Sequence, residues 1–203
     1  MNIEIRRLSP EWLDDYLRFF DQTPHSTNLE EHRCYCVCWS NEDDRNRDFS
    51  TAETRRRLAV ELVGGGHVQG YLAYSDGQVV GWCNANTKSD CYECISWRMF
   101  MGAVPRDGEV PGARIKSVFC FAIAPQMRGK GVAGALLRRI CEDAETEGFD
   151  AVEAYPNKAF IDTEQDFMGP VSLFEKNGFH VCCEAEQRLV MRKDLRLRME
   201  ANT

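Results

Sequence analysis

The chain predicts a mixed α/β (α+β) domain, with a central sheet of about seven strands flanked by about four helices. Three observations carry that reading. Val118 to Ile123 is an apolar strand that runs through Arg128-Gly129-Lys130-Gly131 into a helix with Val132, Leu136 and Ile140 at helical spacing. Val68 to Tyr74 and Val79 to Ala85 flank Ser75-Asp76-Gly77-Gln78, an Asp-Gly hairpin signal. The 203 residues contain no repeat, linker or low-complexity segment, so residues 1–203 are read as one domain, long enough to bury about 70% of its unfolded surface.

The elements follow in order. Ile3-Glu4-Ile5-Arg6 alternates as an opening strand. Ser9-Pro10 supplies a cap and a first-turn proline for a helix from Glu11 to Phe20. Ser50-Thr51-Ala52-Glu53 has the spacing of a capping box, and Gly64-Gly65-Gly66 ends the helix that it opens. After the hairpin, Thr87 to Ala113 is read as irregular. A strand from Ile115 to Ala124, a helix from Gly129 to Glu147 and a strand from Asp150 to Tyr155 come next. A short helix from Pro170 to Asn177 and a final strand pair, Phe179 to Glu184 with Arg188 to Arg192, complete the chain. The order is β-α-α-β-β-β-α-β-α-β-β.

Composition narrows the function. A net charge of −7 argues against nucleic acid and anionic membrane as default partners. No stretch approaches the roughly 20 apolar residues that span a bilayer. Met1-Asn-Ile-Glu-Ile-Arg6 lacks the apolar core of a signal peptide, so a cytoplasmic location is expected. In that compartment the ten cysteines are expected to be mostly reduced thiols.

The turn before the second-half helix is the chemically informative segment. A helix N-terminus offers unpaired N–H groups and a partial positive charge, and Gly129 and Gly131 let an anion approach the main chain. The spacing predicts a phosphate-bearing, nucleotide-like ligand. A P-loop would need Ser or Thr after the Gly-Lys pair, but Lys130 is followed by Gly131 and Val132. Gly129-x-Gly131-x-x-Gly134 matches a dinucleotide fingerprint superficially, but Rossmann domains usually open with that unit, and here it sits in the second half.

Ile123-Ala-Pro-Gln-Met-Arg-Gly-Lys-Gly-Val-Ala-Gly-Ala-Leu136 resembles the acetyl-CoA signature of the GNAT N-acetyltransferase superfamily, V-x-P-x-x-[RQ]-G-x-G-[IV]-[AG]-x-x-L. Val171-Ser-Leu-Phe-Glu-Lys-Asn-Gly-Phe179 is similar to a second family element, A-x-x-[LF]-Y-E-K-x-G-F. The resemblance implies the GNAT acyl-CoA N-acyltransferase fold and acetyl-CoA as cosubstrate. It implies that amides of Arg128, Gly129, Lys130, Gly131, Val132 and Ala133 hold the pyrophosphate, and that Phe121, Ala122 and Ile123 pair with the pantetheine arm. It further implies transfer of an acetyl group to an amine of a small molecule or peptide by direct attack, with the thioester carbonyl polarised by a backbone N–H near Phe121 to Ile123.

Two expected catalytic groups are missing. Phe174 stands where family members commonly carry a tyrosine acid, and Lys116 to Phe121 contains no glutamate base. Tyr155 is a candidate replacement acid or an aromatic packing at a strand end. Glu153 alternates with Val152 and Ala154, and so faces either the acceptor cleft or solvent. These gaps keep an alternative open: a catalytically weak acyl-CoA-binding or thiol-responsive sensor module.

Cys34-Tyr-Cys36-Val-Cys38-Trp39 and Cys91-Tyr-Glu-Cys94 lie outside the general family pattern. A Cys-x-Cys-x-x-Trp segment with a Glu-Ala-Tyr-Pro strand resembles a bacterial GNAT-like subgroup of undefined substrate. Three readings stand for these cysteines: packing beside aromatic residues, a structural zinc site, or a redox role. No metal ligand set is assigned, since only Cys91 and Cys94 have zinc-like spacing. Cys34, Cys36 and Cys38 would line one surface if their segment were extended. Cys120 is read as a small buried hydrophobe. Substrate contacts are expected from loops 21–49, 86–114 and 156–169, and the chain is compatible with a homodimer.

Overall fold

The structure, a computed structural model, describes residues 2–23, 29–43, 45–106, 112–162 and 166–195. The first half holds β1 (Glu4–Arg7), α1 (Leu13–Gln22), α2 (Ala52–Gly64), β2 (Gly70–Ser75), β3 (Gln78–Thr87) and α3 (Ile95–Phe100). The second half holds β4 (Ile115–Ile123), α4 (Val132–Thr146), β5 (Ala151–Ala154), α5 (Val171–Glu175), β6 (His180–Ala185) and β7 (Arg188–Asp194). The strands form one sheet in the order β1-β2-β3-β4-β5-β7-β6. β4 and β5 run parallel, joined by the α4 crossover, and the other neighbours pair antiparallel.

The sheet is covered on both faces, and β3 tells them apart. Successive strand residues point to opposite faces. The Trp82 ring meets Tyr16 of α1 edge-on at 4.9 Å and lies 6.4 Å from Phe20. At the neighbouring Gly81, a Cβ would come within 2.9 Å of Val132 of α4 and of Ile123. So α1 covers the Trp82 face and α4 the Gly81 face. The same alternation sorts β4. Cys120 pairs with Asn84, Phe121 with Cys83 and Ile123 with Gly81, so Cys120 turns toward the α1 face while Phe121 and Ile123 turn toward α4.

Two irregularities shape the site. β4 pairs with β5 only over Ile115 to Val118, so beyond that point its edge carries no strand among the described residues. Against β3, Cys120 pairs with Asn84 but Val118 pairs with Ala85, which leaves Phe119 as an extra residue, a β-bulge.

Several local expectations hold and others shift. The hairpin turn has Asp76 at φ 50° and Gly77 at φ 76°, as a two-residue primed turn requires. Pro10 instead begins a 3-10 turn, Pro10–Trp12, and α1 starts only at Leu13. Ser9 does not cap it, because its hydroxyl donates to the Glu11 carboxylate at 2.9 Å. The capping box lies one residue later than expected: Thr51 and Thr54 hydroxyls accept each other's backbone N–H at 3.0 and 3.1 Å, a hydroxyl at the fourth position serving as well as Glu53 would have. The stretch from Thr87 to Ala113 contains α3 and a 3-10 turn at Lys88–Cys91, so the described residues hold five α-helices rather than about four.

Candidate functional site

The turn between β4 and α4 is built as the glycine spacing requires. Gly129 and Gly131 adopt left-handed φ values of 71° and 83°, with open space within 4 Å of where a side chain would begin. Gly131 is the residue before α4 and has no side chain to cap it. Lys130 N–H donates to Met127 O at 3.4 Å and Ala135 N–H to Gly131 O at 3.0 Å, whereas the N–H groups of Gly129, Gly131, Val132, Ala133 and Gly134 meet no backbone carbonyl among the described residues. A row of unpaired donors at a positive helix end, with room above two glycines, fits a pyrophosphate.

That turn opens into a cleft of about 390 Å³. Phe121, Ala122 and Ile123 line it, as do Arg128, Gly129, Gly131, Val132 and Ala133. Lys130, the ninth expected residue, is exposed and outside the lining. Phe160, Phe167, Leu173 and Lys176 also line the cleft; these the motifs did not single out, although Leu173 and Lys176 belong to the second element.

Along β4 the main-chain groups of alternate residues face β3. Ala124 N–H donates to Val80 O at 3.0 Å, so Ile123 and Phe121 present their amides to the free edge. Phe121 N–H is taken by the Phe167 carbonyl at 2.7 Å, and the Ile123 carbonyl accepts from Arg128 at 3.3 Å. The Ile123 N–H is thus the donor left for a carbonyl in the cleft.

Tyr155 and Glu153 are brought together, but in the interior. Both are fully buried, and neither lines the cleft. The reading of Glu153 as a solvent-facing residue is therefore corrected: its carboxylate accepts from Lys88 at 2.9 Å, Arg192 at 2.7 Å and the Tyr155 hydroxyl at 3.0 Å. Burial by itself would raise its pKa, but the Lys88 ammonium and then Arg192 outweigh that and hold it below 4.5. Tyr155 also meets Ser117 Oγ at 2.6 Å, and burial followed by the Glu153 charge pushes its phenol well up. The missing signal was Lys88: no pattern marks it as buried, yet it is 3% exposed. Phe174 is likewise buried, against Phe121 and Phe179.

The cysteine segment is not extended. Tyr35 and Cys36 take φ values of 49° and 50°, and Val37–Trp39 is a 3-10 turn, anchored by the Tyr16 hydroxyl donating to Tyr35 O. Cys34, Cys36 and Cys38 still reach one surface, a chamber of about 440 Å³ that Cys120 also lines. None of the ten cysteines is joined in a disulfide. Burial pushes Cys34 up to about 11, and contact with Cys36, then burial, pushes Cys120 well up. Cys91 and Cys94 lie buried in hydrogen-bond contact with each other, away from both cavities. No group of three His, Cys, Asp or Glu side chains among the described residues is placed to hold a metal ion.

The chamber draws on the three least patterned segments: Glu31 to Phe49, Ser96 with Phe100, and Phe167. It lies on the α1 face of β4, behind Cys120, and the cleft lies at Phe121; Phe167 lines both. No described helix is long and apolar enough to cross a membrane.

The comparisons agree with this architecture. The profile of the acetyltransferase (GNAT) family matches residues 5–179. No curated protein matches the chain. Among solved structures, the PaiA N-acetyltransferase of Thermoplasma acidophilum in complex with coenzyme A is similar at 17% identity and a TM-score of 0.54, over 96% of this chain and 99% of that one. The ribosomal-protein-S18-alanine N-acetyltransferase of Escherichia coli aligns at 11% identity and 0.53, over 100% of this chain and 99% of that one. The GNAT domain of S. lividans PAT aligns at 16% identity and 0.55, over 95% and 90%. Those likenesses establish the fold, and the family match covers the strand, turn and helix of the cleft. The chain belongs to the GNAT acetyltransferase family, with acetyl-CoA as its cosubstrate.

Proposed function

We propose that the protein is an N-acetyltransferase that holds acetyl-CoA in the Phe121–Ala133 cleft and receives a primary amine in the cysteine-lined chamber. The observation that carries the reading is the set of unpaired N–H groups at Gly129 and from Gly131 to Gly134 beside an open β4 edge. Bound there, acetyl-CoA supplies an activated acetyl group: a C–N bond to the acceptor forms, the C–S bond breaks, and the thiolate takes up a proton as the amine releases one.

The chain's own contribution is positioning and electrostatics. Gly129, Gly131, Val132 and Ala133 N–H groups orient the pyrophosphate. The Ile123 N–H donates to the thioester oxygen, where charge develops as the amine attacks. The chamber holds the acceptor beside the Cys34 and Cys120 thiols, the first pushed up by burial and the second by contact with Cys36 and then burial, and this weakly polar surrounding favours the neutral, nucleophilic amine over its ammonium form. A dedicated general base is then dispensable, and the proton leaves to water. Tyr155 and Glu153 act at a distance from the chemistry: Phe119 stacks between Tyr155 at 5.7 Å and the chamber residue Trp39 at 4.4 Å, so the buried ion network braces the chamber wall.

The test is calorimetric titration with acetyl-CoA, followed by release of free thiol in the presence of a panel of amines. Micromolar binding and amine-dependent thiol release are expected. Failure of the folded protein to bind acetyl-CoA removes the cofactor site; binding with no amine-dependent release favours the sensor module over the enzyme.

A further inference from the structure

The chamber carries a cation that its surroundings do not neutralise. Arg55, on α2, donates from Nε to Arg33 O at 2.7 Å and from Nη1 to Phe49 O at 2.6 Å, and from Nη2 to Glu31 O. All three partners are carbonyls. A guanidinium has five N–H donors, so one remains on each Nη nitrogen. No carboxylate forms an ion pair with Arg55 among the described residues. Glu31 contributes its carbonyl, while its own carboxylate stands exposed at the chamber mouth. Its three carbonyl bonds fix Arg55 in place, and it lines the chamber. A fixed guanidinium with an N–H left on each Nη nitrogen can receive a carboxylate in a fork.

Apart from Glu31, His32 and Ser96, the rest of the chamber is lined by aromatic rings and thiols. Trp39, Phe49, Phe100 and Phe167 supply four aromatic walls, and the cysteines between them are small, weakly polar surfaces. A polycationic acceptor would find a guanidinium inside and a single carboxylate, that of Glu31, at the mouth. A purely apolar amine would leave Arg55 without a counter-charge. The reacting nitrogen must still pass Phe167 to reach the β4 edge, because Phe167 is the wall shared with the cleft.

Resting on the acetyltransferase reading, we infer that the acceptor is a free α-amino acid or like amine that bears a carboxylate for Arg55 and an apolar or aromatic side chain for the ring-walled chamber. The carboxylate anchors the far end, the side chain fills the space among the rings, and the amine is left to point at the thioester. Arg55 is then the residue that sets specificity, and it touches no acetyl-CoA.

The experiment titrates three probes into protein saturated with coenzyme A: phenylalanine, phenethylamine, which lacks the carboxylate, and glycine, which lacks the side chain. Phenylalanine is expected to bind at least about ten-fold tighter than either, the size of one charge-assisted hydrogen-bonded contact. Arg55→Lys is expected to bring phenylalanine down to the phenethylamine level with coenzyme A affinity unchanged. Because Arg55 also ties three carbonyls, Cys38→Phe serves as a second variant; it fills the chamber, keeps those ties, and is expected to abolish phenylalanine binding alone. Phenethylamine binding as tightly as phenylalanine, or no phenylalanine binding to the wild type, overturns the inference. Thiol release from acetyl-CoA reads the other question separately. Phenylalanine binding without release removes the transferase and keeps the ligand class, and release with an amine lacking a carboxylate, in protein blind to phenylalanine, does the reverse.

Discussion

Replacing Gly131 by aspartate separates binding from folding. The residue sits at φ 83°, and nothing lies within 4 Å of an added Cβ, so the substitution meets no clash. A left-handed conformation costs an L-residue about 1–2 kcal/mol, and a carboxylate at a helix N-terminus returns about 0.3–1 kcal/mol through the dipole. The net loss of stability is about 1 kcal/mol, or about 2–4 °C in melting temperature for a chain of this size. Binding should suffer far more. The carboxylate occupies the anion position and takes up N–H donors; losing two charge-assisted bonds at about 1.5–3 kcal/mol each weakens acetyl-CoA by more than about a hundred-fold. Gly131→Ala shares the backbone cost without the charge, so it should retain more affinity than the aspartate variant. The assay is calorimetry with acetyl-CoA alongside thermal melting of the three proteins. If the aspartate variant binds within ten-fold of wild type, the helix N-terminus is not the pyrophosphate site.

The buried ion network gives two further expectations. Glu153→Gln removes the negative charge between Lys88 and Arg192 and should cost about 3–5 kcal/mol at neutral pH, measured by denaturant unfolding, since it strands buried cations. Because the folded carboxyl lies below its ordinary 4.5, its contribution is complete above that value and is lost as pH falls through the lowered one; the gap between wild type and variant should therefore narrow in acid, and a constant gap from pH 7 to pH 3 would contradict the assignment. Cys34, raised to about 11 from 9.0, should be alkylated at neutral pH some ten- to hundred-fold more slowly than an unperturbed thiol, the lower thiolate fraction being partly offset by greater nucleophilicity; mass spectrometry of iodoacetamide-treated protein reads this, and rapid modification of Cys34 would refute it. Gly70→Ala should fail to fold stably, because the added Cβ would lie 2.2 Å from the Cys83 carbonyl and 2.4 Å from the Trp82 ring; circular dichroism of the purified variant checks it.

What was legible in the sequence was periodic or carried by fixed spacing. The Asp76-Gly77 turn, the strand and helix around the glycines, and the gathering of eight of the nine expected cofactor residues along one cleft were readable because glycine conformation and apolar repeat leave marks on neighbouring positions. What was not legible depends on residues far apart in sequence. Lys88, Glu153 and Arg192 meet across three separate elements, and no local pattern says that an alternating glutamate points inward at a lysine. The chamber assembles from left-handed Tyr35 and Cys36, from α2 and from Phe167; its cysteines were visible as a cluster, but the turn that brings them together is not a strand. Ser9 and Ser50 had the right spacing for caps and lost to neighbours, Pro10 with its 3-10 turn and Thr51 with Thr54.

The extra residue in β4 sets which side chains reach the chamber. A strand counts in twos, and Phe119 breaks the parity. Phe119 stacks on Trp39 at 4.4 Å and the next residue, Cys120, contacts Cys36, so two neighbours address the same turn where strict alternation would allow one. Everything downstream is thereby reassigned. Straightening the strand with Phe119 retained would set Phe119 opposite Asn84, turn Cys120 away from the chamber and swap the sides taken by Phe121, Ala122 and Ile123. Deleting Phe119 instead would leave Cys120 opposite Asn84 and remove only the ring between Trp39 and Tyr155. The placement of the two cavities relative to each other is thus held by one unpaired residue.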